Sequence, residues 1–263
     1  MHNPAGPESR KEVVTQYLIR YPLRYCTPVF IGVLTRDDQK VIANGTATLL
    51  RIGERAMIIT DDHVVETYEK TLAEDSRVRF QIGAAPFDPL QHIIDRSKDK
   101  DLCTLDASAA QIDHQARDDD TNMPPLEFYQ VETAAWPPPL VEVQQTVILG
   151  GFPGALRRQS GTDVTSESYS LAATPVTGVL PDYFTCNLDR SEWQTERGRD
   201  DPNIQLRDWG GLSGAPIMYD GHDTLRPRLV GFVMEYEPSY DQLKASHAAL
   251  IRKDGTIETG TLF

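Results

Sequence analysis

Residues 46–60 read Thr46-Ala47-Thr48-Leu49-Leu50-Arg51-Ile52, then Gly53-Glu54-Arg55, then Ala56-Met57-Ile58-Ile59-Thr60. β-Branched and aliphatic side chains fill both flanks, and a glycine-containing break parts them, as in two short strands joined by a turn. The same texture recurs along the chain. Strands are expected at 26–34 (CTPVFIGVL), 46–52, 56–60, 77–82, 91–94 and 102–105. A second group is expected at 141–150, 168–179, 183–188, 215–219, 228–236 and 247–251. Short strands at intervals of roughly 10 residues point to an all-β barrel or sandwich and away from alternating β and α.

Between the groups, 116–125 (ARDDDTNMPP) and 136–139 (WPPP) combine an acidic run with prolines, which supply no ladder donor and restrict the residues before them. The expected architecture is two tandem six-stranded antiparallel β-barrels with a cleft between them. Its divisions are an N-terminal helical extension over 1–24, a first barrel over 25–115, a linker over 116–140, a second barrel over 141–255 and a tail over 256–263. Val13, Val14, Tyr17 and Leu18 mark an amphipathic helix over 8–20.

Composition excludes several classes of function. The 263 residues carry 26 basic and 39 acidic side chains, a net charge of −13 that repels phosphate backbones, so no nucleic-acid partner is expected. No apolar run approaches ~18 residues and no charged-then-apolar leader opens the chain, so no membrane association and a cytoplasmic location are expected. Cys26, Cys103 and Cys186 are odd in number and far apart. They fit buried thiols better than a disulfide framework or a zinc site. His92, His114 and His222 stand alone, and Asp118-Asp119-Asp120 reads as solvated linker. Neither a metal nor a cofactor is expected.

The chemistry centres on Gly210-Gly211-Leu212-Ser213-Gly214-Ala215-Pro216. Glycines on both sides of a serine permit a sharp turn that exposes the hydroxyl and frees nearby amides. A hydroxyl is a weak nucleophile without a base, and the base needs an orienting carboxylate. His63 is expected to close the apolar strand 56–60, facing the cleft. Asp101 leads into the apolar segment Leu102-Cys103-Thr104-Leu105. His63 and Asp101 thus fall in the first strand group and Ser213 in the second, opposite one another across the cleft.

This ordered set resembles the trypsin/chymotrypsin-like serine peptidases, and in detail the bacterial HtrA-type peptidase domains without a PDZ domain. The resemblance is carried by Gly45-Thr46-Ala47-Thr48-Leu49-Leu50, Ile59-Thr60-x-x-His63-Val64-Val65, Asp101-Leu102-x-x-Leu105, Val147 to Pro153, Gly211-x-Ser213-Gly214-x-Pro216 and Leu229 to Val233. It implies that Ser213 attacks a peptide carbonyl, His63 transfers the proton and Asp101 holds the imidazole tautomer. It also implies an oxyanion hole from the amides of Gly211 and Ser213, and a substrate pocket near Arg207, Met234, Glu235, Tyr236 and His247. The expected activity is a serine endopeptidase working through an acyl-enzyme on protein or peptide substrates. The densely charged stretch 189–208 suggests an enzyme held inactive until a ligand or a separate regulatory protein orders it. The alternative is a catalytically impaired pseudo-peptidase serving as a binding or sensor module. Leu212 stands where digestive relatives have an aspartate, so activation by cleavage of the N-terminus is not expected. Asp62 departs from the small residue usual before the histidine: it raises the His63 pKa, or offers the ring a competing partner, or points to solvent and changes nothing.

Overall fold

In a computed structural model the described residues are 17–34, 39–110, 125–160, 163–166, 168–188, 193–195, 210–219, 221, 226–237 and 239–262. The chain is mostly β. Its first half contains β1 (Cys26–Leu34), β2 (Gln39–Ile52), β3 (Arg55–Thr60), α1 (Asp62–Glu74), β4 (Val78–Ile82), β5 (Ala85–Phe87), β6 (Ile93–Ser97), β7 (Leu102–Asp106) and β8 (Tyr129–Val131). These strands form one curled sheet in the order β5-β4-β1-β2-β3-β7-β6, with β8 added parallel to β2. The sheet stays open among the described residues, where a closed six-stranded barrel was expected. Helix α1 provides the physical reason, because Val64, Val65 and Tyr68 pack into the core among Val29, Ile31, Leu49 and Phe80 and cover the face that closure would have buried.

The second half contains β9 (Thr146–Gly151), β10 (Arg157–Ser160), β11 (Asp163–Ser166), β12 (Tyr169–Val179), β13 (Tyr183–Asn187), β14 (Trp193–Thr195), β15 (Pro216–Tyr219), β16 (Arg228–Glu237) and β17 (Gln242–His247). Six of these run β13-β17-β16-β15-β9-β12, and β12 pairs back to β13. The ring is a closed antiparallel barrel without free edges. Its interior is filled by Leu149, Val176, Phe184, Ile217, Val233 and Leu243, among others.

Several boundaries differ from expectation. The last strand is 242–247 and not 247–251; Ala248–Leu250 is a 3₁₀ turn. The linker is partly structural, since β8 joins the first sheet and Trp136 is buried with its indole N–H donating to Ile251 O at 2.7 Å. In the expected tail, Ile257 is buried and its N–H donates to Asp95 Oδ2 at 2.7 Å, on the first sheet. Residues 17–20 are helical, and the rest of the helix expected over 8–20 lies outside the described residues. All three cysteines are buried free thiols, and burial pushes the Cys186 thiol up to about 12. No helix among the described residues is long and apolar enough to cross a membrane.

A third apolar cluster joins the halves. Leu50, Met57, Ile59 and Leu102 of the first sheet meet Ile148, Met218, Leu229 and Phe232 of the barrel. The chemistry-bearing residues sit along this seam.

Candidate active site

Ser213 lies in the turn before β15, and first-sheet donors hold that turn from behind. Thr46 N–H donates to Ser213 O at 2.9 Å, Thr46 Oγ1 to Gly211 O at 2.7 Å, and Thr48 Oγ1 to Gly214 O at 2.7 Å. The Gly214 N–H donates to Val233 O at 2.8 Å. With its carbonyls bound rearward, the turn leaves the N–H groups of Gly211 and Ser213 without an acceptor among the described residues. Gly211 has φ +102° and Gly214 φ +88°, a region that L side chains avoid. A Cβ on Gly211 would also run into Asn44 Nδ2, and one on Gly214 into Thr46 O.

His63 and Asp101 meet because of strand pairing. β3 and β7 are antiparallel with Thr60 opposite Cys103, so the chain leaving β3 passes beside the chain entering β7. His63 does not close the strand as expected; it lies in the first turn of α1. Its Nδ1 is 2.7 Å from Asp101 Oδ2, and its backbone N–H donates to Asp101 Oδ1 at 3.0 Å. One carboxylate therefore fixes both the ring and its backbone. It favours the tautomer with hydrogen on Nδ1, leaving Nε2 as the acceptor. Asp101 takes φ +47°, the left-handed region that aspartate tolerates better than most residues. Its turn is tied to the barrel by the Lys100–Asp182 ion pair and by Ser246 Oγ donating to Lys100 O at 2.8 Å.

The imidazole is about half-exposed, at 49%. Burial pushes its pKa down, but the Asp101 hydrogen bond and charge, aided by Asp62 and Glu235, override that and leave it above the ordinary 6.5. Asp62 neither points to solvent nor takes the ring. It is buried and accepts from Arg96 Nε at 2.6 Å, while Arg96 Nη1 reaches Glu69 at 3.1 Å.

No hydrogen bond joins Ser213 to His63 among the described residues; the two are related through shared neighbours. A Cβ on Gly45 would contact both the Val64 side chain, next to His63, and Ser213 O. Asp61 is close to both Asp101 and Ser213. The Ser213 hydroxyl itself donates to Met234 O at 3.3 Å.

The expected pocket residues divide. Met234 is buried against the Ser213 hydroxyl and Glu235 is exposed nearby. Tyr236 is half-buried and donates to Asp241 at 2.6 Å. His247 has no exposed surface: its ring lies on Phe184 and its Nε2 is 2.9 Å from Leu180 O. It is packed as a core residue with no face open to a ligand. Arg207 lies outside the described residues, as does 189–208 apart from 193–195, which is β14 on the barrel.

One residue of the site was missed in the sequence reading. Asp61 carries a fully buried carboxylate beside His63 and Asp101, with one ligand atom from each of the three within 4.8 Å of the others. A second adjacent carboxylate, following the apolar run Met57 to Ile59, was the available signal. No protein-family model matches the chain, and no curated protein matches it.

Proposed function

We propose that the protein is a serine endopeptidase of the trypsin/chymotrypsin-like type, its open sheet and closed barrel serving as the two halves of that fold. The observation that carries this reading is the double contact of Asp101 with His63, at Nδ1 and at the backbone N–H, on the seam where the Ser213 turn is braced. In the reaction, Ser213 Oγ forms a bond to the substrate carbonyl carbon as its proton passes to His63 Nε2. The C–N bond then breaks, and the leaving amine takes that proton. Water repeats the sequence on the acyl-enzyme and releases the acid. Charge developing on the carbonyl oxygen is met by the free amides of Gly211 and Ser213, a single donor of this kind contributing about 2.7–4 kcal/mol. Rearward hydrogen bonds to Thr46 and Thr48 supply the preorganisation that such donors need.

The test is labelling with a fluorophosphonate. An adduct mapped to Ser213, absent from Ser213→Ala and strongly reduced in His63→Ala, is the expected result. No adduct on the folded wild-type protein, with or without cell extract as a source of a regulator, would leave a binding module in place of an enzyme.

A further inference from the structure

Asp61 joins β3 to α1, and its carboxylate has 0% exposure with no hydrogen bond to either oxygen. It occupies the N-cap position of α1 yet makes no capping bond. The Ser213 hydroxyl and the Gly214 N–H lie close enough to favour its ionised form, but each is directed to another acceptor, Ser213 Oγ to Met234 O and Gly214 N–H to Val233 O. Arg96 is paired with Asp62 and Glu69, and no lysine or arginine pairs with Asp61 among the described residues.

The groups facing it leave one resolution. Asp62 and His63 belong to its own segment, Asp101 comes from the turn before β7, Cys103 from β7, and Ser213 with Gly214 from the nucleophile turn. A second bare carboxylate would stand fully buried beside Asp101, with no lysine or arginine paired to it among the described residues. Buried charges in that situation give way to the neutral form. A metal ion held by Asp61, His63 and Asp101 is the less economical answer, because both Asp101 oxygens already accept from His63.

We propose that Asp61 is a neutral carboxylic acid at neutral pH, a proton-bearing positioning residue close to both the Asp101 carboxylate and the Ser213 turn. Its O–H supplies a proton at the rear of the site, and the neutral form adds no second negative charge beside Asp101. Burial first, and the Asp101 charge second, outweigh the Ser213 and Gly214 donors and raise its pKa well above the ordinary 3.8, which agrees with the geometry. The protonation state stands independently of the peptidase assignment; only its positioning role rests on that reading.

Carbon-13 NMR of the full chain labelled at the aspartate carboxyl carbon tests the proposal. One aspartate is expected to titrate far above the rest and to be missing from the Asp61→Asn spectrum. Stability provides a second measurement. An acid whose pKa is raised on folding contributes stability that is present below the unfolded value and is lost as pH rises through the folded one. The melting temperature of Asp61→Asn should therefore exceed wild type at neutral pH, with the gap closing toward about pH 4. For the positioning role, Asp61→Asn should keep more activity than Asp61→Ala and lack the alkaline decline expected of wild type. If Asp61→Asn does not fold, the wild-type spectrum decides alone. The absence of a late-titrating aspartate overturns the proposal, as does stoichiometric zinc uptake that Asp61→Asn abolishes. A late-titrating Asp61 in a protein that never reacts with a fluorophosphonate would separate the two claims.

Discussion

At His63 the electrostatics become a pH dependence. In the proposed reaction His63 must be unprotonated to accept from Ser213, and its pKa lies above 6.5 because Asp101 stabilises the imidazolium. The acid limb of kcat/KM is therefore expected to have its midpoint above 6.5 and to move down in Asp101→Asn. The same pair contributes stability that is full below the unfolded histidine value and fades as pH rises through the folded one. Asparagine also tolerates the φ of +47° at position 101, so this substitution leaves the backbone in place and removes the charge and the tautomer control. Its expected cost is about 10⁴-fold in kcat, measured with a chromogenic ester or peptide. Retention of wild-type activity would refute the role given to Asp101.

Strand β2 reaches across the seam to brace the Ser213 turn, and Thr46 is its principal contact. Its hydroxyl donates to Gly211 O and accepts from Phe152 N–H at 3.1 Å, so Thr46→Val strands two buried polar groups at once. The expected destabilisation is about 1–3 kcal/mol, read from the urea midpoint, with a larger fractional loss in kcat than in substrate affinity. Gly211→Ala should be worse for the rate and cost at least about 1–2 kcal/mol in folding from its φ alone. At this scale the strands were legible and the helix was not. β1 coincides with the expected run 26–34 because Val29, Ile31 and Val33 alternate inward. The α1 helix was hidden: its buried stripe is only Val64, Val65 and Tyr68 amid charged residues, and it starts directly from an apolar strand without a break. β17 (QLKASH) was displaced because its alternation runs through polar lysine and serine while the apolar residues just after it form a tight turn. Asp61 escaped notice because nothing in a Thr-Asp-Asp-His string says which of two acids turns inward.

For the whole molecule, the shared cluster between sheet and barrel makes the halves interdependent. Phe232 of β16 is fully buried there with Met218, Leu50 and Met57, residues drawn from both halves. Phe232→Ala is expected to cost about 3–5 kcal/mol. Because the cavity opens onto both halves, unfolding should remain one transition, with fluorescence and circular dichroism midpoints coincident. Separate midpoints would mean that the seam is weaker than its packing indicates. The return of residues 255–257 to the first sheet has a temporal consequence. Gly255 O accepts from Thr104 at 2.6 Å, and Ile257 N–H donates to Asp95, so the β6–β7 margin that leads from Asp101 gains these ties only after the barrel strands have been translated. A ribosome-bound chain arrested before residue 255 should therefore be cut by protease along 93–106 and remain inert toward fluorophosphonate. Synthesis order would then act as a safety catch, withholding the proposed site until residues 255–257 have emerged from the tunnel.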